Sequence, residues 1–193
     1  EQVTKNVYAE TGIRGCNPSI VLTEEGSVFI DTAQLITPLL KMRAFAKERG
    51  PIRALINTES HIDHIFGNHW FAGECPVIGH KLLEKTFFCG TPFDCYDNSV
   101  DIITRQDPEG LPFMPSREDY VVNKPQVTFD HEMTFALGSR TFQLYHTPGH
   151  SPSNISVFVP EERVAFVGDT IFSECQIWFH SADPDALLNS LRF

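Results

Sequence analysis

Residues 57–64 hold four side chains of the kinds that bind metal ions. They are two carboxylates and two imidazoles, at Glu59, His61, Asp63 and His64. Side chains of an extended chain alternate between its two sides, so Glu59 and His61 leave the backbone on the same side and can share one ion. Asp63 and His64 are consecutive, and on a helix they diverge by about 100° and can address a second ion. The segment therefore predicts a site for one or two metals.

Two further candidate ligands, His150 and Asp169, lie far from this segment along the chain but in similar settings. Each follows a glycine, Gly149 or Gly168, that permits a sharp turn after a predicted strand. A single histidine or aspartate at a strand end is more often a solvated or capping residue than a ligand. Three such segments in one chain favour a metal site. Four histidines lack this context and are interpreted as surface or packing residues: His69, His80, His131 and His146.

The elements predicted around residues 57–64 place this segment at the end of a strand. Short β-rich runs at 18–23 and 27–31 predict a hairpin, and apolar residues at helical spacing in 37–49 predict a helix. The apolar run at 52–56 predicts a strand that leads directly into the ligand-rich segment. A site at the C-terminal edge of this strand is therefore expected.

The second half of the chain resumes the strand pattern after an irregular insert. Five strands are predicted, at 127–129, 133–137, 141–145, 155–159 and 164–167. Asp183 as N-cap and Pro184 in the first turn predict a closing helix. The insert at about 81–124, rich in aromatic residues and proline, is interpreted as a lid over the substrate or as a dimer contact. The alternative is a helical excursion that covers the sheet edge, with Phe87 and Phe88 in the core.

The overall composition predicts one domain over residues 1–193. With 193 residues and 41% hydrophobic composition, the chain is long enough to bury a core. The formal net charge of -10 argues against a polyanionic partner such as RNA or DNA. No apolar run is long enough to span a bilayer, and no charged-then-apolar leader opens the chain. We therefore expect a soluble protein with neither a nucleic acid nor a membrane as its partner.

The cysteines bear on the cellular compartment. There are five, they form no C-x-x-C pair, and their odd number favours reduced thiols and a cytoplasmic location. The alternative is that Cys89 and Cys95 bridge across a loop in an oxidising compartment.

Five short strings of this sequence resemble the metallo-β-lactamase superfamily, whose signature H-x-H-x-D-H is followed by a glycine-flanked histidine and a bridging aspartate. The strings are Phe29-Ile30-Asp31-Thr32, Asn57-Thr58, Gly67-Asn68, Thr147-Pro148-Gly149-His150-Ser151 and Gly168-Asp169-Thr170. The resemblance runs from Asn17 to the chain end and identifies no subfamily. It implies an α/β fold, the αββα sandwich, with the site at one edge of two packed sheets. The chain is expected to end before the last strand and helix of that fold.

The resemblance also implies a role for each candidate ligand. Position by position, the expected ligands are, for the first metal, Glu59, His61 and His150; for the second metal, Asp63 and His64; and, as the bridge, Asp169. Asp63 and Asp169 are the expected catalytic carboxylates, and Asp63 would also orient a metal-activated water or relay its proton. His180 is either a substrate-facing residue or a loop histidine.

Two positions depart from the superfamily pattern. Glu59 stands where the first histidine of the signature is usual, which gives a harder donor set and is expected to raise the pKa of the metal-activated water. We expect one or two divalent transition metals, zinc first, with manganese or iron as alternatives. The usual further histidine for the second metal is missing downstream of Asp169, where only His180 follows. Either that ligand lies beyond this sequence or the second metal is weakly held.

Three functions fit these features. The leading one is a metal-dependent hydrolase of a small-molecule ester, thioester, lactone or amide, with a homodimer left open. The second is an iron-dependent oxidoreductase, because flavodiiron proteins and persulfide dioxygenases use the same scaffold. In the flavodiiron pattern, however, the carboxylate replaces the middle histidine, and no flavodoxin-like domain follows here. The third is a binding protein whose altered site has lost catalysis, as Glu59 would suggest.

Overall fold

Two β-sheets pack face to face in the computed structural model, which describes residues 1–83, 95–173, 176–179 and 182–192. Within these residues the first sheet contains, in spatial order, β1 (Val7–Ala9), β2 (Ser19–Thr23), β3 (Gly26–Ile30), β4 (Ile52–Ile56), β5 (Val77–His80) and β6 (Val127–Phe129). The second contains β7 (Glu132–Leu137), β8 (Arg140–His146), β9 (Ile155–Val159) and β10 (Val164–Phe166). Strands β3 to β6 pair in parallel, whereas the second sheet is antiparallel throughout.

Short and medium helices connect these strands. The α-helices among the described residues are α1 (Ile36–Lys47), α2 (Ile62–Ile65), α3 (Cys95–Gln106) and α4 (Pro184–Ser190). The 3-10 helices are Phe66–Phe71, Pro108–Phe113 and Gly168–Thr170. No helix in the described part of the chain is long and apolar enough to cross a lipid bilayer.

Apolar side chains fill the space between the two sheets. Alternate residues of a strand point to one face, so Val28 and Ile30 of β3 share a buried cluster with Leu144 of β8 and Val157 of β9. Full burial of an aliphatic side chain of this size stabilises a fold by about 1.5–3 kcal/mol. This cluster holds the two sheets together along their length and brings their edges close to each other.

Helix α1 packs on the other face of the first sheet. Leu39, Met42 and Ala46 recur at helical spacing and are buried in one cluster with Phe29 of β3 and Leu55 of β4. The helix connects β3 to β4, since parallel neighbours need a crossover rather than a tight turn. Parallel pairing places the C-terminal ends of β3, β4 and β5 at one edge, where the ligand-rich segment follows β4.

Most predicted elements are confirmed. The hairpin of β2 and β3, helix α1 and strand β4 lie within two residues of their predicted bounds. The predicted start of α4 is also confirmed, because the Asp183 side chain accepts hydrogen bonds from the backbone N–H groups of Asp185 and Ala186.

Part of the insert at about 81–124 is helical, which favours the helical alternative over a wholly irregular segment. Residues 95–106 form α3, an amphipathic helix in which Ile103 is fully buried. Tyr120 stacks on Phe66, with 5.1 Å between the ring centroids, and its hydroxyl donates to the Phe66 carbonyl oxygen at 2.9 Å. The insert therefore packs against the segment that follows α2. Phe87 and Phe88 lie outside the described residues.

Two histidine rings stack where the sheets approach each other. His80, which ends β5, is fully buried, and its ring centroid lies 3.7 Å from that of His146, which ends β8, with the planes 9° apart. The Leu82 backbone N–H donates to His80 Nδ1 at 3.3 Å, and His80 Nε2 donates to the Asp130 carbonyl oxygen at 2.6 Å. Neutral His80 thus uses both ring nitrogens. Burial and the nearby His146 ring lower the pKa of His80 to about 4.

Acidification is expected to destabilise the protein through His80. Its pKa is 6.5 in an unfolded chain and about 4 in the folded one, so the unfolded state takes up the proton first. The contribution of neutral His80 to the free energy of unfolding is complete above about pH 6.5 and is lost as the pH falls to about 4. About 2 kcal/mol of it is lost between about pH 7 and pH 5. His80→Gln, which cannot be protonated, is expected to lose about 2 kcal/mol less than the parent in urea unfolding over that interval.

The control for this prediction is His131→Gln. His131 lies at the same corner with a side chain that is 89% exposed, so this variant is expected to follow the parent. Equal losses in His80→Gln and the parent would show that His80 does not cause the acid sensitivity.

Candidate metal centre

Three chain segments meet at one edge of the paired sheets. Residues 57–64 follow β4, His150 lies in the loop between β8 and β9, and Asp169 lies in the 3-10 helix after β10. Gly149 and Gly168 have φ angles of 151° and 53°, a region that glycine enters without steric cost. These two turns direct the later segments toward the first.

The first group of potential ligands consists of Glu59, His61 and His150, whose ligand atoms lie within 4.8 Å of one another. His61 Nδ1 lies 2.6 Å from Glu59 Oε2 and 3.1 Å from His150 Nε2. His150 Nε2 lies 3.4 Å from Glu59 Oε1. One carboxylate and two imidazoles that converge in this way form a donor set suited to a divalent transition metal.

The second group consists of Glu59, His64 and Asp169, again within 4.8 Å. His64 Nε2 lies 3.2 Å from Glu59 Oε1 and 3.2 Å from Asp169 Oδ1. The other carboxylate oxygen of Asp169, Oδ2, lies 3.5 Å from His150 Nε2 in the first group. Glu59 and Asp169 therefore both connect the two groups.

Asp31 orients His64 from behind the centre. Its Oδ2 lies 3.0 Å from His64 Nδ1 and accepts a hydrogen bond from the Thr58 hydroxyl at 2.6 Å, while Oδ1 accepts from the Thr58 backbone N–H at 2.7 Å. Asp31 has a φ of 59°, which is uncommon for a residue other than glycine. With Nδ1 held by this carboxylate, His64 Nε2 faces Glu59 and Asp169.

The buried polar atoms at the centre fit a metal ion. Both carboxylate oxygens of Glu59 and Nε2 of His64 are buried and have no hydrogen bond of favourable geometry among the described residues. Burial alone would raise the pKa of Glu59, but the charge of His64 and the other close imidazoles outweigh it and lower the pKa. Burial also opposes charge on His64, yet the Asp31 carboxylate and the other acidic groups around it raise the His64 pKa well above its ordinary value. So many buried acidic groups need a positive charge, which a divalent cation would supply.

Asp63 borders the centre and belongs to neither group. Its Oδ2 lies 3.9 Å from His64 Nε2, and its side chain is 27% exposed. Burial raises the pKa of Asp63, and the charges of Asp169 and Glu59 add to this effect although His64 opposes it. A carboxyl group with a raised pKa at this place can exchange a proton with water.

A cavity of about 460 Å³ opens beside the second group. His64 and Asp169 line one side of it, and the apolar side chains of Phe166, Ile171 and Phe172 line another. This volume is in the range of cavities that bind small molecules.

Cys16 lies under the centre, a position that the sequence analysis did not anticipate. The Cys16 thiol is buried and donates to the Asp63 carbonyl oxygen at 2.9 Å. Burial raises the pKa of this thiol, so Cys16 remains protonated and supports the backbone that carries Asp63.

Comparison with known proteins places this architecture in a family. A profile of the metallo-β-lactamase superfamily matches residues 11–193. The chain belongs to the metallo-β-lactamase superfamily. The metallo-β-lactamase from Pontibacter korlensis has a similar structure, with a TM-score of 0.69 and 19% identity over 100% of this chain and 82% of that one. BLEG-1 B3 metallo-β-lactamase matches 96% of this chain and 83% of its own, with a TM-score of 0.69 and 21% identity. The predicted metallo-β-lactamase fold is thereby confirmed.

Curated relatives match this chain over shorter stretches. Hydroxyacylglutathione hydrolase from Bartonella henselae is 33% identical over 79 residues, which are 40% of this chain and 31% of that protein. Glyoxylase B2 from Dictyostelium discoideum is 26% identical over 125 residues, which are 61% of this chain and 35% of that protein. These alignments span about a third of the length of each relative.

The structure brings the predicted ligands together in two groups that are not the same as the ligand sets predicted for the two metals. Five of the six lie in the two groups, and Asp63 lies at their border. Glu59, predicted for the first metal alone, lies in both groups, so the assignment of ligands to individual metals stays a prediction. His180 lies outside the described residues. The contact of Asp31 with His64 was missed, although Asp31 directly follows β3, whose end lies beside that of β4.

Proposed function

We propose that this chain is a metal-dependent hydrolase that acts on a small-molecule ester, thioester, lactone or amide. The observation that supports it most is the convergence of two ligand groups, joined by Glu59 and Asp169, beside an open cavity. The similarity to hydroxyacylglutathione hydrolase makes thioesters the first substrates to test.

One or two divalent transition metals would be held at this centre, with zinc as the first expectation and manganese or iron as alternatives. Glu59, His61 and His150 would hold one ion, and His64 and Asp169, together with Glu59, would hold the other. A divalent metal at such a site lowers the pKa of the water it activates and polarises the oxygen of the scissile group.

The two catalytic carboxylates have different tasks in this proposal. Asp169 sets the spacing of the two ligand groups, because Oδ1 faces His64 and Oδ2 faces His150. Asp63 takes the proton that the attacking water loses and returns it to the leaving group, as general base and then general acid. The apolar wall of the cavity near Phe172 holds the substrate body and excludes bulk water.

An iron-dependent oxidoreductase is the second candidate, and one feature favours it. The group of Glu59, His64 and Asp169 contains two carboxylates and one imidazole, a harder donor set than a histidine-rich one. Such a protein would purify with iron and consume O₂ without hydrolysing the substrates named above.

Metal analysis and metal removal test the proposed function. The purified protein is expected to contain at least one transition metal per chain, because the clustered ligands would otherwise remain unpaired in a buried site. Dialysis against a chelator is expected to lower turnover of a chromogenic panel of thioesters, esters, lactones and lactams by at least about a hundredfold, and Zn²⁺ is expected to restore it.

Two outcomes would contradict the proposal. The first is the absence of Zn, Mn, Fe, Co and Ni even after these metals are added. The second is a metal-loaded protein that turns over no member of the panel, which would favour a binding protein.

A further inference from the structure

The two imidazoles that face Glu59 Oε1 are supported in different ways. His64 Nδ1 contacts the Asp31 carboxylate at 3.0 Å, which fixes the direction of its ring. His150 Nδ1 is buried and has no hydrogen-bond partner among the described residues. Apart from the contacts of Nε2 with Glu59, His61 and Asp169, the direction of the His150 ring therefore depends on the loop that carries it, residues 147–153, which is called the His150 loop below.

The ring of His146 ties the two ends of the His150 loop together. His146 immediately precedes the loop, and its Nε2 donates to the Pro152 carbonyl oxygen at 2.9 Å. At the same base, the Thr147 backbone N–H donates to the Asn154 carbonyl oxygen at 3.0 Å. The His146 bond therefore adds to this backbone bond and to the contact between the Thr147 and Ser156 hydroxyls at 2.9 Å.

The His80 ring, which is fixed by two hydrogen bonds, supports the His146 ring by stacking. The two rings stack at 3.7 Å, and the buried His80 ring cannot turn without breaking its bonds to Leu82 and Asp130. The charged groups near this pair are the Asp130 carboxylate, 3.9 Å from His80 Nε2, and Lys81, which pairs with Asp130 at 2.5 Å. His80 belongs to the first sheet and His146 to the second. The stack therefore connects the base of the His150 loop to the first sheet, and Glu59 and His61 directly follow strand β4 of that sheet.

We propose that His146, stacked on His80, is a positioning residue that directs His150 toward Glu59 and His61. The proposal rests on the proposed metal centre for its functional meaning, but its claim about the His150 loop applies to the metal-free chain as well. The loop has another anchor on its outer side, at α4 and its N-cap, where the Ser190 hydroxyl donates to the Pro148 carbonyl oxygen at 2.6 Å and the Asp183 backbone N–H donates to the Gly149 carbonyl oxygen at 2.7 Å. The experiment therefore has to separate the stack from this anchor.

Amide hydrogen exchange on the metal-free protein tests the positioning role directly. His146→Ala is expected to speed exchange of the Thr147 and Asn154 amides by at least about tenfold, while amides of β3 keep their parent rates. His146→Phe keeps a ring stacked on His80 but loses the hydrogen bond to Pro152. It is expected to raise the exchange rates of these two amides less than His146→Ala does. His131→Ala removes an exposed imidazole from the same corner and is expected to have no effect.

Three results of this measurement would overturn the proposal. Parent-like exchange of the His150 loop in His146→Ala is the first. The second is a larger effect of Ser190→Ala than of His146→Ala, which would assign the support to α4. If His146→Ala does not fold, His146→Phe is measured instead, and parent-like exchange in that variant is the third.

Zn²⁺ titration against a chromogenic chelator tests the consequence for the metal centre. His146→Ala is expected to weaken the binding of one ion by about 10- to 100-fold, the effect usual for residues that orient a ligand, and His131→Ala is expected to bind as the parent does. Parent-like affinities for every ion in His146→Ala would overturn the proposal. A parent that binds no metal ion would instead refute the proposed function, while the exchange data would still decide whether His146 positions the loop.

Discussion

Asp169→Asn is expected to lower kcat/KM for hydrolysis by about two to three orders of magnitude and to leave the fold intact. The Asp169 carboxylate presents Oδ1 to His64 at 3.2 Å and Oδ2 to His150 at 3.5 Å, so it connects the two ligand groups. The amide has the same shape, but it replaces one anionic oxygen with an NH₂ group that cannot bind a cation. The spacing of the two groups would then no longer be set by one anion.

The measurement combines steady-state kinetics, metal content and urea unfolding of the parent and the variant. Asp101→Asn is the matched control, because Asp101 lies on α3 with a side chain that is 75% exposed and pairs with Arg105 one helical turn away. A folded Asp169→Asn variant that holds two metals and turns over at the parent rate would show that Asp169 is not the bridge.

The strands and helices that could be predicted from the sequence are those marked by a residue pattern within their own segment. Strand β4 is a run of apolar residues interrupted once, by Arg53, and the start of α4 is marked by Asp183 and Pro184. Strand β5 was not predicted, because its four residues include Gly79 and the polar His80. Its strand conformation depends on the neighbours β4 and β6, with which it pairs in parallel.

The same distinction between local and tertiary signals applies to the metal centre. The types and spacing of Glu59, His61 and His64 predict a metal site, because so many ligands in six residues are hard to explain otherwise. The position of Glu59 between both groups could not be predicted, since it depends on how the His150 loop packs against the first sheet. The support of His64 by Asp31 likewise exists only once β3 pairs with β4.

Glu59→Ala is expected to weaken the binding of every metal ion at the centre by at least about tenfold. The Glu59 carboxylate is fully buried; Oε1 lies 3.2 Å from His64 Nε2 and 3.4 Å from His150 Nε2, and Oε2 lies 2.6 Å from His61 Nδ1. Its removal takes away the one donor that both ligand groups share. Glu48→Gln is the control, because the Glu48 side chain is 75% exposed and is expected to leave metal binding unchanged.

Glu59→His is expected to keep a metal ligand at this position and to change the pH dependence of hydrolysis, because it exchanges an anionic donor for a neutral one. With less negative charge beside the metal, the pKa of the activated water falls, so half-maximal hydrolysis appears at a lower pH and the preference shifts toward zinc. If Glu59 takes no part in metal binding, Glu59→Ala keeps the parent's metal content and pH profile, and Glu59→His gains an ion that the parent lacks. Metal titration of the parent and both variants, compared with their pH–rate curves, distinguishes a shared ligand from a bystander.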